Sequence, residues 1–333
     1  MTRDLSFGVG ITSFAMGVVV CVAVACGDVP ATDVGTADGG DAGGPGLIDS
    51  GVSGPNEGGV YDGGADAARA SDFCATFPAL PSVRPTAANT GVPPGTTLTP
   101  ETGMTITVAG TVIDARDVTG TINVEANDVI IMNSKVHVSG GPSDIAIKVK
   151  RGITGTKILR SEVYSDEGAY IGIYADNTTV CGSYLHGWEN GMTVGGGSML
   201  QANYIDRLQG GQPGAHYDGI EVYGGGAPSK LWGNNIRLTD PKDEWRGETG
   251  AINLTAWAGD IDAVEMNGNW LGGGSYTLYV DEQNGDQATN VKVTNNRFYR
   301  DSAAYGTHLV RDEASVIVWS GNVFDDNGDS VSK

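Results

Sequence analysis

Val129-Ile130-Ile131-Met132-Asn133-Ser134-Lys135-Val136 is the stretch whose reading decides the fold. A short apolar run ends on a small polar residue, and two positions later an aliphatic residue follows. The same punctuation, Ser or Asn, then any residue, then a large aliphatic or Phe, starts at Ser134, Ser161, Ser183, Asn203, Asn234, Asn269, Asn296 and Asn322. The intervals are 27, 22, 20, 31, 35, 27 and 26 residues. A period in this range marks stacked units, none of which can bury its apolar face alone.

Strand-like alternation precedes the corners, as in Thr156-Lys157-Ile158-Leu159, Val291-Lys292-Val293-Thr294 and Val316-Ile317-Val318-Trp319. A second family of short strands lies beyond them: Ile122-Asn123-Val124, Ile147-Lys148-Val149, Ile173-Tyr174-Ala175, Met192-Thr193-Val194, Ile220-Glu221-Val222, Ile252-Asn253-Leu254, Leu278-Tyr279-Val280 and Leu309-Val310. Apolar residues alternate with polar ones, the pattern of a half-buried strand. Asn tolerates left-handed backbone angles, so the recurring Asn is read as the bend residue itself. The prediction is an all-β, right-handed, single-stranded parallel β-helix of about eight to ten coils spanning 95–333, with 73–94 as a lead-in.

Residues 1–26 read as a signal peptide, with Arg3 ahead of an apolar run and Ala23-Val24-Ala25 before Cys26. Cys26 in that setting resembles the acylated cysteine of a bacterial lipoprotein, so the chain is expected to be secreted or held at a bacterial cell surface, touching a membrane only through that anchor. Residues 27–72 are Gly-, Asp- and Ala-rich and carry too few apolar side chains to fold, which makes them a tether. Cys74 and Cys181 are candidates for a disulfide or for two buried thiols. The net charge of −20 argues against a nucleic-acid partner, and the chain is expected to be a monomer.

Stacking the second strands lines up outward side chains along one face. One row reads Asn123, Lys148, Tyr174, Thr193, Glu221, Asn253, Tyr279, Val310; the next reads Glu125, Lys150, Asp176, Gly195, Tyr223, Thr255, Asp281, Asp312. Aromatic and polar groups in rows suit a linear polysaccharide. Three loops enter this face: His186-Gly187-Trp188-Glu189-Asn190, Arg207 to Tyr217, and Leu238 to Gly250 with Trp245, Arg246 and Glu248. They converge on His216-Tyr217-Asp218-Gly219-Ile220-Glu221, which offers a candidate acid, base and charge stabiliser. Lys150, Tyr174, His186, Trp188, Glu189, Thr193, Tyr223, Trp245, Asn253 and Tyr279 are the candidate substrate-binding residues.

The corner pattern and the following D-G-I-x-V strand resemble the pectate-lyase-like superfamily of parallel β-helices over about 95–333. That resemblance implies a polysaccharide lyase acting by β-elimination on a uronate-containing chain. Lys148, Lys150, Arg207 or Arg246 would then be candidate bases, with His216 or Tyr217 as alternatives, and Asp176, Asp218 and Glu221 could hold Ca²⁺. Tyr217 to Val222 also looks like the N-T-D-G-I-D strand of polygalacturonases, which implies hydrolysis with Asp218 as acid and Glu221, Glu248 or Glu189 as the second carboxylate. The paired D-D of that family is replaced here by Gly250-Ala251. Uronate epimerisation and a non-catalytic glycan-binding or adhesion role, with Trp188, Trp245 and Trp257 as platforms, are the other readings. Asp325 to Asp329 is a weaker calcium-loop candidate.

Overall fold

A computed structural model describes residues 81–141, 143–209, 215–238 and 248–333, with the backbone alone at Glu248. The signal-like segment, Cys26, the tether, Cys74, Trp245 and Arg246 lie outside the described residues.

The chain winds as a right-handed parallel β-helix. Nine short strands, from Val112–Asp114 to Val316–Ser320, stack in one parallel sheet. The remaining two walls belong to a 15-stranded sheet that bends along its length. Strand Glu162–Ala175 shows how: its first half pairs with Lys135–Val138 and its second half with Ile145–Val149. Each coil therefore runs through the nine-stranded wall, turns a corner, and continues through a second wall into a third. Fully buried Ile, Val and Leu side chains, such as Ile131, Val163, Ile220 and Leu271, fill the interior. Apolar burial of this kind contributes roughly 25 cal/mol per Å² removed from water.

The predicted Ser/Asn series forms one continuous ladder at the corner between the first two walls. All eight residues are buried. Asn234, Asn269 and Asn296 each receive the backbone N–H of the previous coil's Asn at 2.9–3.1 Å and its side-chain amide at 2.9–3.0 Å. Their own amide nitrogens also donate back to carbonyls, as Asn269 does to Leu231 at 2.8 Å. Ser134, Ser161 and Ser183 make the shorter version, accepting a backbone N–H and donating to the carbonyl two residues back.

The reason given for Asn at the bend is corrected by the structure. The left-handed residue is the one before the ladder: Asn133, Arg160, Gly182, Ala202, Gly233, Gly268, Asn295 and Gly321 all have φ between 46° and 67°. Ser and Asn are selected instead because a compact side-chain oxygen can satisfy a buried N–H one coil away.

The third wall carries the predicted outward row. Asn123, Lys148, Tyr174, Thr193, Glu221, Asn253 and Tyr279 pair in register from coil to coil. The row then slips by one residue, because Tyr279 pairs with Leu309 rather than Val310.

Candidate functional site

The third wall bears a cleft of about 880 Å³. Its floor is laid by three adjacent strands, Tyr184–Val194, Tyr217–Val222 and Glu248–Ala256. Their register sets Asn190 beside Asp218 and Gly250, and Thr193 beside Glu221 and Asn253. The D-G-I sequence has a steric basis at Gly219. A Cβ there would stand 2.3 Å from the Ile236 side chain and 2.6 Å from the Ala251 carbonyl. Glycine thus lets the strand lie flat on the core while the residues on either side are exposed to different surroundings.

Glu221 has a donor on each oxygen. Thr193 Oγ1 donates to Oε2 at 3.0 Å, with Asn190 Nδ2 at 3.4 Å, and Trp257 Nε1 donates to Oε1 at 2.9 Å. Asp218 is only 2% exposed. Its Oδ1 accepts from the Gly250 N–H at 3.1 Å and its Oδ2 from Asn253 Nδ2 at 3.2 Å. Burial, reinforced by the negative charge of Glu221, pushes the Asp218 carboxyl up to about 8, despite the opposing hydrogen bonds from Asn253 and Gly250. Each oxygen keeps a lone-pair direction for a proton or a ligand. Glu189, half-buried at the side of the cleft, is also raised by burial, against the pull of the His216 backbone N–H. Two carboxyls biased toward the neutral form therefore flank one that is well supplied with donors.

His216 is exposed and lines the cleft with Glu189. Tyr170, Tyr174 and Trp257 add aromatic surface, and Lys148, Lys150 and Arg151 line the end nearer the chain's early coils. Lys150 is paired with Glu125 at 3.1 Å. Lys148 is exposed and has no ion-pair or hydrogen-bond partner among the described residues. Tyr279 extends the row past Asn253, edge-on to Tyr276.

Several predicted site residues are placed elsewhere. Tyr217 is buried in the core. Trp188 is fully buried and its Nε1 donates to the Val163 carbonyl at 3.0 Å. There the shift falls between His186 and Trp188, around Gly187 with φ of 79°. His186 faces outward from the second wall instead, 3.1 Å from Glu162 and stacked on Tyr164. With His186 and then Lys135 beside it, the Glu162 carboxyl is held down at about 2. Arg207 lies over Tyr184 and bonds Asp206 at 3.4 Å, away from the cleft. Tyr223 is buried behind the cleft, stacked on Tyr174, and donates its hydroxyl to Asp176 at 2.5 Å.

The three carboxylates read as calcium candidates already carry hydrogen-bond or ion-pair partners. The oxygens of Asp218 and Glu221 face donors, and Asp176 is engaged by Tyr223 and by Arg151 at 3.8 Å. Among the described residues no three His, Cys, Asp or Glu side chains converge. In the terminal loop, Arg300 bonds Asp326 and Asp329 and ties the segment down.

Asn190, Thr255, Tyr170 and the Gly250 N–H were missed as site groups. Asn190 had a readable signal: it precedes Thr193 by three positions, as Asp218 precedes Glu221 and Gly250 precedes Asn253. No protein-family model matches the chain, and no curated protein matches it.

Proposed function

We propose that the chain is a pectate-lyase-like β-helix enzyme that binds an acidic polysaccharide along this cleft and cleaves it by carboxylate acid–base chemistry. The observation that carries the reading is the pairing of Asp218 and Glu221: a buried carboxyl pushed toward its neutral form beside a carboxyl that accepts hydrogen bonds on both oxygens. Such pairs divide acid and base roles between like groups.

Hydrolysis follows directly. The neutral Asp218 gives its proton to the glycosidic oxygen as the C–O bond breaks. Ionised Glu221 takes a proton from the water that adds to the sugar carbon, so no net proton is gained or lost. Glu189 and His216 line the same stretch and bind the sugar around that bond. The aromatic faces of Tyr170 and Trp257 suit the apolar faces of sugar rings. Lys148 suits a sugar carboxylate. It lies three register steps from Glu221, roughly 14 Å at ~4.8 Å a step, so it holds a neighbouring sugar rather than the one being cleaved. The signal-like start and the tether fit an enzyme working outside the cell on such a polymer.

A second reading, β-elimination, is favoured by one observation. Lys148 is an exposed cation without a partner among the described residues, in a cleft that also holds Tyr170 and Tyr174. The experiment is incubation of the purified chain with a panel of polyuronates and neutral polysaccharides. New reducing ends without ultraviolet absorbance from unsaturated uronate ends support hydrolysis. The same ends with that absorbance support elimination. Binding without turnover, or no binding at all, overturns the enzymatic proposal.

A further inference from the structure

Trp257 stands just beyond strand Glu248–Ala256 and is 41% exposed. One edge of its indole is committed: Nε1 donates to Glu221 Oε1 at 2.9 Å. One side leans on Tyr223, with centroids 5.3 Å apart and planes at 33°. Tyr223 is itself fixed, 2% exposed, stacked on Tyr174 at 5.8 Å and bonded to Asp176. The remaining surface of the indole belongs to the cleft. A large ring is thus backed by a buried aromatic stack, open to the cleft, and joined by its polar edge to a site carboxylate.

We propose that Trp257 is a positioning residue that couples occupation of a sugar subsite to the charge and orientation of Glu221; this rests on Glu221 acting as the base. An N–H donor favours the charged form of a carboxylate and fixes the direction of its lone pairs. A sugar seated on the open indole face restrains the ring against Tyr223. The N–H then stays on Oε1, while Thr193 and Asn190 hold Oε2. Orientation of this kind is a substantial part of a catalytic rate.

The test separates ring from N–H. Trp257→Phe keeps an aromatic face and removes the donor; Trp257→Ala removes both. For Trp257→Phe, kcat falls roughly tenfold to a hundredfold, the scale of a lost hydrogen bond to a charged group. KM stays within about twofold, and the acid limb of the kcat/KM profile moves to higher pH. Trp257→Ala adds a severalfold rise in KM. Wild-type kinetics in Trp257→Phe, or a loss wholly in KM with an unmoved pH profile, overturns the coupling.

A second measurement needs no substrate. The chain is labelled with 5-fluorotryptophan, and the Trp257 resonance is assigned by its loss in Trp257→Phe. In ¹⁹F NMR the resonance shifts as acid protonates Glu221, and the shift disappears in Glu221→Gln. A resonance indifferent to that substitution overturns the Trp257–Glu221 link. If no polysaccharide is turned over, the acid–base reading fails alone, and this titration still decides the link.

Discussion

Asn269 and Asp218 are both buried in the same coil stack, and both accept hydrogen bonds from neighbouring coils. Their surroundings differ in one respect. Asn269 is neutral, accepts two bonds from Asn234 and donates to Asn296 and to the Leu231 carbonyl, so its burial is matched by hydrogen bonds. Asp218 carries an ionisable group with no cation against it among the described residues and with another carboxylate nearby. A corner built only for stability uses the first arrangement. The second raises the energy of the ionised state, and that is useful where a proton must be held near neutral pH.

The largest effects separate the two regions by kind. Glu221→Gln and Asp218→Asn each lower turnover of any substrate found by roughly a thousandfold, within the usual range for an acid or base. Urea denaturation checks that both variants remain folded. Full activity in both would remove the cleft floor from the chemistry and leave it, like the ladder, structural.

The ladder should respond in the other measure. Asn269→Ala strands buried N–H donors and the Leu231 carbonyl, and costs about 3 kcal/mol of unfolding free energy. Asn269→Ser is milder, about half of that, because Ser134, Ser161 and Ser183 already make the shorter bond pattern in the early coils. Equal losses for Ala and Ser would show that coil-to-coil bonding is not what the corner contributes. Catalytic constants of the folded fraction stay unchanged in either variant.

Asp218→Asn sharpens the contrast through pH. In the fold the carboxyl keeps its proton up to about pH 8, whereas in the unfolded chain it loses it around the ordinary value of 3.8. The folded state therefore binds more protons between these limits, and stability falls as pH rises through that window. Asn cannot ionise. The variant should gain on the order of 5 kcal/mol over the wild type at pH 8 and little at pH 4. A constant difference across that range would mean that Asp218 is not held neutral by the fold.

The ladder was legible because it repeats: eight copies of one corner chemistry make a pattern that single positions cannot. What the pattern did not reveal was which residue carries the bend. Asn133 and Asn295 take left-handed angles while their neighbours Ser134 and Asn296 make the bonds, and adjacent Asn residues look alike in sequence. The outward row from Asn123 to Tyr279 was also readable, since alternation survives within each short strand. Residues just ahead of the row were misplaced: Trp188, beyond left-handed Gly187, and Tyr217 both turn into the core. Their place on loops entering the face suggested Arg207 and His186 as site groups, but both side chains fall on the second wall, a distinction that depends on how many residues each corner consumes. The Asp218–Glu221 pair was found from its D-G-I-E strand. Of its supporting groups, Asn190 shares the three-residue spacing, whereas the Gly250 N–H required coil-to-coil register.

Titration of the Asp218 side-chain carboxyl by ¹³C NMR, assigned with Asp218→Asn, tests the central claim most directly. The carboxyl should remain protonated through neutral pH, with a midpoint about 8, and the midpoint should fall when Glu221→Gln removes the neighbouring charge. A carboxyl already ionised at pH 5, with or without Glu221, would contradict the acid–base account of the cleft.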